Sequence, residues 1–261
     1  MKHIQSAQNP TIKQVRKLAA GSSQRAKQGR TILEGVHLCE SFLASDGAPE
    51  LCLVSESFVE HAEVAPLTQK LQAIQAEVIV VPDSVFSSIS QLEHGVGVLF
   101  VIAIPAAAAV PVLAQNALLL EAVQDPGNLG TMLRTAAAAG ITQVFLSAGC
   151  AQAWSPKVLR AGMGAHFVLE VYEAVDLQSL ITSAQVPVFA TSLQAKKTLY
   201  EQDLRAQAGW LFGSEGQGVS PELEAACGEK TVIIPQQAGV ESLNVAAAAA
   251  ICLFEQRRQQ L

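Results

Sequence analysis

No two cysteines in this chain stand in a C-x-x-C pair, and their number, five, is odd. Disulfide frameworks and zinc ribbons need sulfur paired or clustered at short spacing, so neither is expected here. Cys39, Cys52, Cys150, Cys227 and Cys252 lie mostly in apolar runs, the pattern of buried free thiols in a reducing compartment. Charge is scarce as well: Asp, Glu, Lys and Arg make up 15% of the 261 residues, whereas 50% are hydrophobic. That balance excludes a disordered chain and supplies apolar surface for one large domain or two modest ones. Neither a G-x-G-x-x-G run nor a Walker A loop occurs, which removes the usual dinucleotide and triphosphate readings. The basic N-terminus has no apolar core behind it, so no signal peptide is expected. The uncharged run from Val96 to Ala114 is broken by Pro105 and Pro111 and reads as a core strand followed by a linker, not as a membrane span. A soluble, cytoplasmic protein without membrane or metal partners is the expectation.

What is present is unevenly distributed. The net charge is -6, yet residues 1–33 hold Lys2, Lys13, Arg16, Lys17, Arg25, Lys27 and Arg30 and no acidic residue. Such asymmetry points to an anion-binding arm on an acidic body, although a solvated basic helix face has the same composition. Asn9-Pro10 announces a helix over Thr11–Ala20, and Gly21-Ser22-Ser23 reads as its break. Strands are expected at Thr31–Leu33, Leu51–Val54, Val78–Val81 and Val98–Ile104, with helices at Val36–Ala44, Pro66–Ala76 and Asp83–Ser88 between them. This alternation implies a small α/β domain over residues 1–104. The Pro- and Ala-rich stretch 105–116 is the linker candidate. Over residues 117–261 the alternation is stronger. Fully apolar strand candidates such as Ala117–Ala122, Val188–Thr191 and Trp210–Phe212 are separated by helical segments, as in a parallel sheet covered on both faces.

Three polar constellations stand at strand ends in this second half, where open α/β sheets place ligands. Gln124-Asp125-Pro126-Gly127-Asn128-Leu129-Gly130 opens a helix carrying Arg134 and Thr135. Taken alone it is equally a good turn with a helix cap, but an Arg in a helix otherwise made of Leu, Thr, Ala and Gly asks for a ligand. Gly213-Ser214-Glu215-Gly216-Gln217-Gly218 follows Trp210–Phe212, and its glycines let a backbone approach a flat ligand. Ser242-Leu243-Asn244 follows Ile234-Pro235 and a polar loop over Gln236–Glu241. It caps a helix whose five alanines, Ala246 to Ala250, permit very close packing.

Together and in this order, the three resemble the motifs of the SpoU/TrmH family of RNA ribose 2′-O-methyltransferases, of the SPOUT class. The resemblance covers about residues 117–258, and Ser6 to Ser41 is similar to the small substrate-binding domain often fused to that family. It implies a parallel-sheet domain with a C-terminal trefoil knot, S-adenosylmethionine as cofactor, RNA as substrate and a homodimer. Ribosomal RNA is favoured over transfer RNA by the extra domain. On the family pattern Thr191, Gly213, Ile234 and Leu243 line the cofactor pocket, and Asn128, Arg134, Glu215, Ser242 and Asn244 form the polar active site. A ribose hydroxyl is a poor nucleophile until its proton is shared. A guanidinium stays protonated, so Arg134 suits an anchor for the target phosphate better than a base. Glu215 or a phosphate oxygen remains to take the proton. Lys157 and Arg160 are further candidates for RNA contact, or part of a solvated helix face. Two rivals stand beside the enzyme: a catalytically silent RNA-binding protein of the same fold, and a small-molecule α/β enzyme that would leave the basic N-terminal segment unexplained.

Overall fold

A computed structural model describes every residue except Glu93, His94, Ala238, Val240 and Glu241; three residues of the expected Gln236–Glu241 loop therefore lie outside the described residues. The chain divides into two compact units, Met1–Ala106 with Trp154–Phe167, and Ala107–Ala153 with Val168–Leu261.

In the first unit the chain runs β1 (Lys2–His3), α1 (Pro10–Ala20), α2 (Ser22–Gln28), β2 (Arg30–Glu34), α3 (Val36–Ala44) and β3 (Leu51–Ser55). It continues through α4 (Val64–Ala73), β4 (Val78–Val81), α5 (Asp83–Ser87) and β5 (Val98–Ala103). The sheet order is β1-β4-β3-β5-β2, parallel across β1, β4 and β3 and antiparallel where β5 meets β3 and β2. Asn9 caps α1 by accepting from the Thr11 N–H at 2.9 Å, and Ile12, Val15 and Leu18 lay one helical face onto Ile32, Leu53, Ile79 and Leu99. The basic segment is not a free arm. Arg25 is buried and donates to the Leu18 carbonyl at 2.9 Å, and Arg30 pairs with Glu50 at 2.7 Å. Lys2, Lys13, Lys17 and Lys27 are exposed, and of these Lys2 pairs with Glu77 at 3.6 Å. Ser22 and Ser23, read from sequence as part of a break, instead begin helix α2, because Gly21 serves as its N-cap; the left-handed Gly29 (φ 60°) ends it.

Chain order alone assigns Trp154–Phe167 to the second half, yet it packs in the first unit. The Thr31 hydroxyl donates to the Trp154 carbonyl at 2.7 Å, and Arg160 meets the buried Glu34 carboxylate at 3.3 Å. Glu34 also accepts from the Ser90 hydroxyl and the Gln91 N–H, so Arg160 is engaged with protein and Lys157 alone of that pair points to solvent.

The second unit contains β6 (Ala117–Leu120), α6 (Pro126–Ala139), β7 (Gln143–Leu146), β8 (Glu170–Tyr172), α8 (Leu177–Thr182) and β9 (Val188–Thr191). The helix α7 (Pro156–Gly162) between β7 and β8 is the part contributed to the first unit. Then follow β10 (Lys197–Thr198), β11 (Gly209–Phe212), α9 (Pro221–Cys227), β12 (Thr231–Ile233) and α10 (Val245–Gln260). The sheet order is β10-β12-β9-β11-β6-β7-β8, with every pairing parallel. Side chains alternate between its faces. Leu119, Phe145 and Leu211 meet α8 and α9 on one face, while Trp210 stacks between Phe189 and Phe212 on the other. Trp210 donates its indole N–H to Gln256 of α10 at 2.9 Å, which leaves no unpaired polar atom on that buried ring. The Pro/Ala stretch is docked at its C-terminal end: Leu113 is fully buried, and its carbonyl accepts from Gln185 at 2.8 Å. Cys39, Cys52, Cys227 and Cys252 are buried free thiols, and burial raises the pKa of each, so none is primed as a nucleophile. Among the described residues no helix is long and apolar enough to cross a membrane.

Candidate active site

Parallel strands point their C-terminal ends one way, so the sheet order fixes which loops meet. Along β12-β9-β11-β6 these ends deliver, side by side, Ile234, Thr191, Gly213 and the Glu121–Asn128 turn. Ile234 is buried, Thr191 is half-buried, and Gly213 is buried without a side chain. Leu243 and Ser242 lie at the far end of the loop that starts at Ile234, half-buried and exposed respectively.

Local chemistry sets each loop. Pro126 occupies the first turn of α6, and the Asp125 carboxylate caps it by accepting from the Asn128 N–H at 2.7 Å. Asn244 caps α10, its Oδ1 accepting from Ala246 at 2.9 Å and from Ala247 at 3.3 Å. The glycine loop closes on itself through Ser214 N to Gly218 O at 3.1 Å and Gly218 N to Ser214 O at 2.9 Å.

A hydrogen-bonded chain then ties the three loops together. Asn244 donates Nδ2 to Asn128 Oδ1 at 3.0 Å, and Asn128 donates its own Nδ2 to Glu215 Oε1 at 3.1 Å. Glu215 accepts further from the Asp125 N–H at 3.2 Å and the Gln124 N–H at 3.4 Å. Partial burial pulls the Glu215 pKa up, but the bonds from Asn128, its own N–H, Asp125 and Gln124 outweigh that pull and leave it below the ordinary carboxylate value. A group with a depressed folded pKa stabilises the fold above its unfolded pKa and loses that contribution only as pH falls through the folded value. At neutral pH Glu215 is therefore ionised, and the bonds it accepts make it a weak base.

Arg134 stands apart from this chain. It lies on α6 six residues beyond Asn128, roughly 9 Å along the axis and about a third of a turn away. The side chain is exposed and makes no hydrogen bond or ion pair with any described residue. Of the residues singled out from sequence, Asn128, Glu215 and Asn244 are thus bonded directly, and Thr191, Gly213 and Ile234 share one rim. Ser242 and Leu243 directly precede Asn244, which is tied to Asn128, and Arg134 is bonded to no described residue.

Supports that the sequence reading passed over complete the site. Glu121 accepts from the Ser220 N–H at 2.8 Å and so anchors the N-cap of α9 to the end of β6. Ala122 adopts φ 51°, a left-handed conformation that costs an L-residue about 1–2 kcal/mol. Its N–H is held by the Ser147 hydroxyl at 3.0 Å. No pattern in the sequence marks an alanine for this role. Ala122→Gly is expected to raise Tm by about 2 °C, since relief of strain exceeds the roughly 0.4–1 kcal/mol entropic cost of glycine. A lower Tm in scanning fluorimetry would show that the backbone there is unstrained. Among the described residues, no group of three or more His, Cys, Asp or Glu side chains is placed to hold a metal ion.

Known proteins resemble this chain over both of its parts. Residues 115–254 match the SpoU rRNA methylase family, and residues 9–99 match the MRM3-like substrate binding domain. An uncharacterized tRNA/rRNA methyltransferase of Synechocystis is 38% identical over 98% of this chain and 94% of its own length. The 23S rRNA (guanosine(2553)-2′-O)-methyltransferase RlmP of Bacillus subtilis is 35% identical over 98% of this chain and 100% of its own. The crystal structure of an AdoMet-bound rRNA methyltransferase from Sinorhizobium meliloti superposes with a TM-score of 0.86 at 27% identity, covering 100% of this chain and 98% of that one.

Proposed function

The chain belongs to the SpoU rRNA methylase family, and on that premise we propose that it transfers a methyl group from S-adenosylmethionine to a ribose 2′-hydroxyl of ribosomal RNA. The observation that carries this reading is the Asn244–Asn128–Glu215 chain, which brings the three motif loops to one rim of the parallel sheet.

The residues present suit such a donor. The rim of Thr191, Gly213, Ile234 and Leu243 carries no charged side chain to repel a sulfonium, and Gly213 leaves backbone accessible to a flat purine. The ionised Glu215 lies on the neighbouring loop and complements a cation. When bound, the cofactor supplies a methyl group made electrophilic by its positive sulfur. The protein's own part is positioning. Asn128 and Asn244 hold the Gln124–Asn128 turn and the start of α10 in register, and Glu215 locks both to the glycine loop. Arg134, exposed and bonded to no described residue, is the group available to grip the phosphate of the target nucleotide with its two-pronged guanidinium and so set the 2′-oxygen in line. Because the bonds to Glu215 make it a weak base, the hydroxyl proton goes to a phosphate oxygen of the substrate or to water. Ser242 shapes the rim.

Residues 1–104 form the RNA substrate-binding domain in this reading, 105–116 the connection and 117–261 the methyltransferase domain. The exposed Lys13, Lys17 and Lys27 offer phosphates a face without acidic neighbours in sequence. A knotted C-terminal segment and a homodimer belong to this reading; α10 packs against α6, and Phe254 on α10 is 46% exposed. Free thiols and a ribosomal RNA substrate agree with a cytoplasmic site of action. Incubation with methyl-labelled S-adenosylmethionine and ribosomal RNA is expected to place label in one alkali-resistant dinucleotide, the mark of a 2′-O-methyl group. Label in a base, label confined to transfer RNA, or none would overturn the reading.

A further inference from the structure

We propose that the segment Leu193–Tyr200 is an RNA-contacting element of the methyltransferase unit, with Lys196 and Lys197 holding phosphates beside the target nucleotide and Tyr200 stacking on an unpaired base. The inference rests on the methyltransferase reading and names the part of the substrate that the segment takes.

The second unit holds seven basic residues against thirteen acidic ones. Four of the seven are occupied within the protein. Arg205 pairs with Asp203 at 2.6 Å and Arg258 with Glu255 at 2.8 Å. Arg257 donates to the Ala139 carbonyl at 3.1 Å, and Lys230 sits over the Phe189 ring at 5.5 Å. Besides Arg134, that leaves Lys196 and Lys197. Both are exposed, and neither side chain forms an ion pair or hydrogen bond with a described residue. Lys197 does help to hold the Glu201 pKa down, but the larger causes there are the Thr198 N–H and hydroxyl, which already engage that carboxylate at 2.7 and 2.8 Å. Two adjacent, unpaired ammonium groups on an otherwise acidic unit repel one another and attract a polyanion.

Their position follows from register. Lys197 is level with Val232 of β12, and Val232 is level with Thr191 of β9. Two strand spacings therefore separate Lys197 from Thr191 on the candidate cofactor rim, about 10 Å. Thr198 is level with Ile233, so the chain passes Ile234 as it turns towards Tyr200. Along this path Leu193 is 55% and Tyr200 60% exposed, an apolar and an aromatic surface flanking the two lysines. Lysines interleaved with an exposed aromatic ring form the combination that binds single-stranded nucleic acid, where phosphates meet cations and a base meets the ring. A paired base offers no free face for stacking, so the target nucleotide lies in a loop or bulge.

The test uses the full chain with an RNA substrate that the unaltered protein methylates. Lys196→Glu/Lys197→Glu is expected to raise KM for RNA roughly tenfold or more at moderate salt, and to flatten its log–log salt dependence by about two, one per lysine. Tyr200→Ala is expected to raise KM roughly fivefold or more through lost stacking. S-adenosylmethionine affinity, read by calorimetry, stays unchanged in both. Lys196→Gln/Lys197→Gln, which adds no new charge, is expected to show the same sign with a smaller size. Unchanged KM in these variants overturns the proposal, and so does weakened cofactor binding with KM intact, which would make the segment part of the cofactor pocket. If the unaltered protein transfers no methyl group, the methyltransferase reading fails instead. Filter retention of RNA by the same variants then decides this proposal, with undiminished retention refuting it.

Discussion

Arg134→Ala is expected to lower kcat/KM for methyl transfer roughly 10²–10³-fold, the size seen when one preorganised charged contact to a reacting centre is removed. The unusual part of the expectation is its selectivity. Arg134 is exposed and bonded to no described residue, so its loss removes nothing from the fold. Tm should stay within about 2 °C, because surface substitutions away from caps and buried pairs usually change stability by no more than about 0.5 kcal/mol. Affinity for S-adenosylmethionine should also be retained, since Arg134 lies on α6 and not on the rim of Thr191, Gly213 and Ile234. Arg134→Lys separates charge from shape. The ammonium keeps the charge but cannot present two parallel N–H groups to a phosphate, so that variant should recover only part of the loss. Turnover equal to the unaltered enzyme would rule out the two-pronged grip.

Gly213→Ala should act through geometry instead. An added Cβ would stand 1.8 Å from the Gly218 carbonyl oxygen and 2.2 Å from the Val219 nitrogen, both backbone atoms that no rotamer change can move away. The Ser214–Gly218 closure must open, and Glu215 moves with it, which detaches its contacts to Asn128, Asp125 and Gln124. Overpacking of this kind costs about 1–3 kcal/mol and at times more. Expressed in cofactor binding, that is a loss of roughly tenfold or greater in Kd, read by calorimetry. Gly216→Ala is the control, because an added Cβ there meets nothing within 4 Å. Equal effects in the two variants would mean that close approach at Gly213 is not what the loop needs.

Much of this site was legible in the sequence because the motifs are short and contiguous, and each follows an apolar run. Strands buried on both faces, such as Ala117–Leu120 and Gly209–Phe212, announce themselves by unbroken hydrophobicity. Asp125-Pro126 and Asn244 announce helix starts by their capping chemistry. Other features carried no such signal. Helix α2 has no apolar stripe, and its capping glycine resembles a break. The strand β10 is two polar residues long and exists only because β12 lies beside it. The burial of Arg25 depends on a carbonyl seven positions away, which composition cannot reveal. Basic residues that look alike in sequence therefore differ in kind: Arg25 and Arg160 hold the fold, whereas Lys13, Lys196 and Arg134 face solvent.

The excursion of Trp154–Phe167 into the first unit makes that unit discontinuous in the gene. Val158 and Leu159 are fully buried there, and Trp154 is 9% exposed against His166. A cassette cut at residue 104 would carry away the sheet but leave behind the helix that covers part of it. Exchange of recognition domains among relatives must therefore move two stretches of coding sequence together, and grafts that move only the first would yield a protein with a stripped apolar face and a Glu34 that has lost its arginine.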